Sequence, residues 1–196
     1  MQIRSALAMA IAFSLMSAVQ AQQAPGPAVS RKAFELRDLV VDAKVLTPEF
    51  QMKRGVQSPR VKNWFSVTAD YETAADWTDE LEFTFYVLVK NTKHPKSAPP
   101  QSLFKQTVSY VNIEKGRHKA DVFLHPNTIA RYGEVQAVAV QVNMQGLKVA
   151  EQGKPDTKER WWEKLPPTDG LLLPRSETPF AAVAYDDFPP QRRAQR

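Results

Sequence analysis

The chain predicts an all-β protein, an immunoglobulin-like β-sandwich of seven to eight short strands with one or two short helical turns. Three observations predict it: apolar and polar residues alternate at period two over most of the sequence, turn signals recur every 8 to 14 residues, and only one or two stretches carry helix signals. A closed barrel is the other architecture that fits this pattern.

The alternation is strongest between Val61 and Lys90. Leu81, Phe83, Phe85, Val87 and Val89 fall on one face, and Glu82, Thr84, Tyr86 and Lys90 on the other; Val61, Phe65, Val67, Ala69 and Tyr71 share a face in the preceding stretch. The segment Glu72 to Glu80 between them reads as the turn of a central antiparallel hairpin. A first strand is predicted at Phe34 to Leu46, where the apolar phase slips from Phe34 and Leu36 to Leu39, Val41, Ala43 and Val45, the signature of a bulge or a change of sheet. Thr47 to Arg60 and Asn91 to Ser102, with their prolines, read as exposed connections.

A second hairpin is predicted from Leu103 to Leu124, turning at Lys115-Gly116, with Phe104, Val108 and Tyr110 on one side of its first strand and Ala120, Val122 and Leu124 inward on its second. A helical turn follows between a possible cap at Asn127 and a stop at Gly133. Tyr132, its last residue, occupies the place where such sandwiches often carry a corner tyrosine. Val135 to Val142, almost all small or β-branched, reads as a central strand covered on both faces, and Leu147 to Glu151 as its partner after a turn at Gln145-Gly146. Asp156 and Glu159 have the spacing of a capping box for a short helix that Pro166-Pro167 would stop, with Trp161 and Leu165 on one face. Two short strands are expected around Pro174 to Pro179.

The ends read differently. Arg4, the apolar stretch Ala6 to Val19 and the small-residue site Val19-Gln20-Ala21 make residues 1–21 a secretory signal, too short to span a bilayer. The expected organisation is that signal, a flexible spacer over 22–32, one sandwich domain over 33–189 with a short helix near 156–165, and a disordered basic tail over 190–196. The expected location is therefore periplasmic or extracellular. With no cysteine, stability must come from a core, which a mature chain of about 175 residues is long enough to build. Cleavage removes Arg4 and no acid, taking the formal charge from +5 to +4. Lys53 to Lys62 and the terminal Arg192, Arg193 and Arg196 are the only concentrations of positive charge. An exported chain rarely meets nucleic acid, so lipid headgroups or acidic polymers would be its electrostatic partners, and solvated loops with a soluble tail are the plainer reading.

Catalytic groups are sparse. His118 and His125 have opposite strand parity and cannot share a metal, and His94 stands in a Pro-rich loop. There is no G-x-S-x-G elbow and no glycine-rich phosphate loop. The cluster Asp76-Trp77-Thr78-Asp79-Glu80 has carboxylates enough for calcium but not the spacing or the glycine, and reads as a solvated turn. Asp186 and Asp187 are adjacent and would point to opposite faces. No catalytic, cofactor or metal residue is expected.

The four tryptophans carry more information. Trp64 lies on the polar-parity face of its strand, Trp77 in the expected turn, and Trp161-Trp162 in a charged short helix. Exposed, they would stack on sugars or anchor a protein; buried, the helix would plug an open end of the sandwich.

The Trp77-Thr78-Asp79 segment, the Trp161-Trp162 pair and the late Arg175-Ser176-Glu177-Thr178-Pro179-Phe180, in a cysteine-free exported sandwich, resemble small exported immunoglobulin-like proteins of Akkermansia-type bacteria, encoded beside type IV pilus components. The resemblance implies a non-enzymatic envelope protein, an accessory of a pilus or related secretion system. The candidate interaction surface is Trp77, Trp161, Trp162, Thr178, Pro179 and Phe180, and the expected partners are envelope or pilus-associated proteins. The alternative is a carbohydrate-binding module using Trp77, Trp162 and Tyr86 as a stacking platform.

Overall fold

The structure is a computed structural model that describes residues 33–48, 62–92 and 100–192. The expectations for the signal and spacer, for Val61 and His94, for most of both exposed connections and for residues 193–196 lie outside the described residues.

The core is built on two very long strands. β1 (Phe34–Leu46) precedes β2 (Asn63–Asn91) and β3 (Gln101–Leu124), and β2 pairs antiparallel with β3 over almost its whole length. The two expected hairpins are therefore absent. Glu72 to Glu80 does not turn the chain back, because each half of β2 finds its partner in β3 and not in the other half. At the place where turns were expected the register shifts between Thr73 and Trp77, opposite Gly116 and Glu114. Such a bulge sharpens the bend of a strand without ending it. Thr73 Oγ1 donates to the Glu114 carbonyl at 2.7 Å across the bulge. On β3, Asn112 has φ 51° and Gly116 φ 135°, the backbone freedom that the matching bend requires.

The bend makes the sandwich. Tyr71 and Phe83 are twelve residues apart, about 40 Å along a straight strand, yet their rings lie 4.9 Å apart. Tyr110 and Asp121 are likewise brought together on β3, where the Asp121 amide donates to the Tyr110 hydroxyl at 3.3 Å. The seven-stranded sheet thus folds over into two layers. One holds β1 and the first half of β2; the other holds the second half of β2 with β4 (Gly133–Met144) and β5 (Leu147–Lys154).

Every inward residue named for Leu81 to Val89 is buried, as are Phe65, Val67, Ala69, Tyr71, Phe104, Val108, Tyr110, Ala120, Val122 and Leu124. Burying an aromatic or aliphatic side chain of this kind contributes about 1.5–3 kcal/mol before conformational entropy is counted. The phase slip in β1 is real: its register against β2 shifts between Leu36 and Asp38 and again between Asp42 and Val45.

The helical turn is α1 (Pro126–Tyr132), capped by His125 Nδ1 accepting from the Asn127 amide at 3.0 Å, so His125 and not Asn127 is the cap. Tyr132 packs edge-on against Phe104. Gly133, at φ 110°, ends the helix where a Cβ would lie 2.4 Å from the Lys90 carbonyl oxygen. The helix expected near 156–165 shrinks to one 3-10 turn, Trp161–Glu163, and Asp156 caps nothing; its neighbour Glu159 is held by Lys164 Nζ at 2.7 Å. Beyond it come two short strands, β6 (Pro167–Thr168) and β7 (Leu172–Pro174), and then 3-10 turns at Arg175–Glu177, Pro179–Ala182 and Tyr185–Asp187 in place of the second expected strand.

Candidate interaction surface

The C-terminal segment covers the outer edge of β3. β6 pairs with Leu103–Phe104, β7 with Val122–Leu124, and Gln191 bridges Tyr110. Pro190 accepts from the Val111 amide and the Arg192 amide donates to Ser109, each at 2.9 Å. Residues 190–192, expected at the start of a disordered tail, are thus bonded to the sheet, and Arg192 pairs with Glu80 at 2.9 Å. Gln191 Nε2 also donates to the Tyr110 hydroxyl, which accepts from the Asp121 amide at the seam between the layers as well. The opposite seam is bridged by Lys154 and Asp38 at 2.9 Å, from β5 to β1.

Between its edge contacts the segment lies over the outer face of β3. Asp121, 2% exposed, accepts from Arg175 through Nε at 3.0 and 3.2 Å and Nη2 at 2.8 Å. Arg175 Nη1 donates to the carbonyls of Phe180 at 2.6 Å and Val183 at 3.0 Å, and the guanidinium lies 3.7 Å from the Phe188 ring centroid. A planar fork with five donors suits this task, since one side chain meets a carboxylate and two carbonyls together. Burial pushes the Asp121 carboxyl up to about 6 in spite of Arg175 beside it.

Thr178-Pro179-Phe180 is built into this arrangement. Thr178 Oγ1 accepts from the Phe180 amide and donates to the Arg175 carbonyl, capping the turn that Pro179 begins. Phe180 then stacks on Phe123, centroids 4.5 Å apart and rings 6° from parallel, and meets Trp64 edge-on at 5.6 Å. These three form an apolar cluster separate from the main core. Trp64 is on its polar-parity face, as read from sequence, and is buried because this segment covers it.

The six candidate contact residues do not share a surface. Thr178 and Phe180 are buried as described, and Trp162 is buried against Tyr86, rings 6.2 Å apart, close above Gly153. Trp161 is half-buried and edge-on to Trp162, and both indole N–H groups are shut from solvent with no hydrogen-bond partner among the described residues. Pro179 is half-buried, and Trp77 alone is well exposed, at 61%. Buried side chains cannot receive a partner, so Trp162, Thr178 and Phe180 are packing residues in this fold. Trp77 stands at the bend of β2 opposite Glu114, while Tyr86 lies nine residues on with Trp162 over it, so the three rings form no common platform.

Asp76 to Glu80 lies within β2, not at a hairpin tip, with Thr78 buried opposite Ile113. Among the described residues no three His, Asp or Glu side chains gather to hold a metal. His118 is used locally, 2.7 Å from the Glu114 carbonyl, and Asp186 and Asp187 fall in an exposed 3-10 turn. No described helix is long and apolar enough to cross a membrane.

A protein-family model matches residues 26–195, a span that contains every described residue. The chain belongs to that family. A crystal structure of a protein from Akkermansia muciniphila matches with a TM-score of 0.65 and 24% identity, covering 83% of this chain and 96% of the other. At that identity the likeness concerns the fold, and it meets the resemblance drawn from sequence at that level. No curated protein matches.

The Asp121–Arg175 pair was missed by sequence reasoning, though a signal existed. Trp64 and Phe123 both sit on polar parity at the same end of paired strands, which calls for a cover over that face.

Proposed function

We propose that this protein is exported to the cell envelope and acts there as a structural, protein-binding module without enzymatic chemistry, serving as an accessory of a type IV pilus or related secretion system. The observation that carries the binding part is the edge of β3: its main chain is paired by no full strand but by short pieces of the chain's own C-terminal segment. Sheet edges of this kind recruit extended segments through backbone hydrogen bonds. Family membership over residues 26–195 and the likeness to the Akkermansia muciniphila protein support the fold of such a module; the envelope setting comes from the signal read in residues 1–21, and the pilus role from the resemblance read in the sequence.

The test is to cross-link the native protein in intact cells, isolate it through a tag and identify what accompanies it by mass spectrometry. Pilus or secretion subunits are expected. Recovery of the protein alone would remove the stable-complex reading, and a change in tryptophan fluorescence on a glycan panel would redirect it to sugar binding.

A further inference from the structure

The strap from Leu172 to Arg192 is held at its two ends, by the three residues of β7 and by Pro190, Gln191 and Arg192, and between them by the Arg175 and Phe180 side chains. Apart from Leu172 its buried ring belongs to the Trp64–Phe123–Phe180 cluster and not to the main core. Residues 173–188 can therefore lift without parting Tyr71 from Phe83. What they leave behind is a slot with three features: the pairing edge of β3 at Val122–Phe123, the recessed carboxylate of Asp121, and the flat face of Phe123 walled by Trp64.

We propose that this slot is a docking groove that the strap fills in cis, and that its partner is a segment of an envelope protein, turned as Arg175–Ala182 is, presenting a guanidinium and, five residues further on, an aromatic ring. The proposal rests on the reading of the chain as a protein-binding module. Charge complementarity sets the first requirement, because a recessed carboxylate is met best by a bidentate fork. The stack of Phe180 on Phe123 sets the second, and the spacing from 175 to 180 is the strap's own. The groups facing Asp121 are Arg175 from the strap and Lys119 and Tyr110 from β3. Segments with few core contacts open before the rest of a domain.

The test uses the full chain and, as probe, a labelled peptide with the sequence of residues 171–192. Arg175→Glu in the full chain unseats the strap. That variant is expected to bind the peptide, wild type to bind it at least about tenfold more weakly, and addition of Asp121→Asn to the variant to weaken binding again by about tenfold. An Arg175→Glu chain that keeps its strand circular dichroism and does not bind the peptide overturns the proposal. Self-association of that variant without peptide assigns the groove to a second copy and also overturns it. Should the variant not fold, hydrogen exchange on wild type decides: the Phe180, Ala181 and Val183 amides are expected to exchange at least about tenfold faster than those of Phe83 and Val122, and equal rates overturn the proposal. These readouts do not depend on what the cross-linking recovers, so either reading can fail alone.

Discussion

Arg175 binds Asp121 through two nitrogens and, with its third, reaches back to the Phe180 and Val183 carbonyls, so a single side chain both pins the C-terminal strap and shapes it. Both partners are well buried, at 14% and 3% side-chain exposure. Arg175→Ala leaves an unpaired carboxylate under the strap and is expected to cost about 3–5 kcal/mol. The paired replacement Asp121→Leu with Arg175→Met should cost less than Arg175→Ala alone. Chemical denaturation of both variants checks this, and a double variant that falls below the single one would show that the pair is not the source.

The same carboxylate gives a pH signature of definite sign. Burial lifts Asp121 from 3.8 to about 6. Since the folded value lies above the unfolded one, its contribution to stability is full below about pH 3.8, declines as pH rises through about 6, and is lost above it. Exposed acids act the other way: hydrogen bonds from Arg37, Lys154 and Lys148 hold Glu72, Asp38 and Glu151 down, so their contributions are lost as pH falls. Subtracting the stability curve of Asp121→Asn from that of wild type isolates the buried group. The difference should move in favour of wild type as pH falls from about 7 to about 4, and a flat difference would contradict the assignment.

Phe180→Ala should open the satellite cluster while sparing the layer between Tyr71 and Phe83. The expected cost is about 3 kcal/mol, the low end for a buried ring, because the neighbouring turn can settle. Measured in a Trp77→Phe background, which removes the exposed indole, emission should shift to the red as Trp64 is uncovered. An unshifted spectrum would mean that other parts of the strap shield Trp64.

The inward face of nearly every strand was legible because burial alone sets it: period two places Leu81, Phe83, Phe85, Val87 and Val89 in the core whatever the strand order. Connectivity was not legible. Glu72 to Glu80 contains no glycine, proline or asparagine, and although Asp76 and Asp79 suit a turn, the lack of the stronger turn formers was the available sign that β2 continues. The short helix failed for a related reason: a capping-box spacing is local, while Trp162 is held by Tyr86 from another element. The strap's lock joins residues 54 apart in sequence, beyond any local pattern.

The bend at Thr73 and Gly116 should be a weak point of defined size. Gly116→Ala meets no atom within 4 Å but must adopt φ 135°, so strain alone is expected to cost about 1 kcal/mol or slightly more. Thr73→Val removes the donor to the Glu114 carbonyl and should cost about 1–2 kcal/mol. The two face each other across the bulge and should couple when combined. Thermal denaturation of the two single variants and the double decides; neutral singles would assign the bend to packing across Tyr71 and Phe83 alone.

Trp77 and Trp162 should separate contact from packing. Trp162→Ala removes a ring stacked on Tyr86 beneath a half-buried Trp161, and is expected to cost about 3 kcal/mol or more. Trp77→Ala removes a ring 61% exposed and should change stability by no more than about 0.5 kcal/mol. Loss of co-purified proteins in the Trp162 variant would then follow from a loosened fold. Loss in the Trp77 variant, with an unchanged unfolding midpoint, would place the partner at the bend of β2. Retention there would leave the edge of β3 as the docking side.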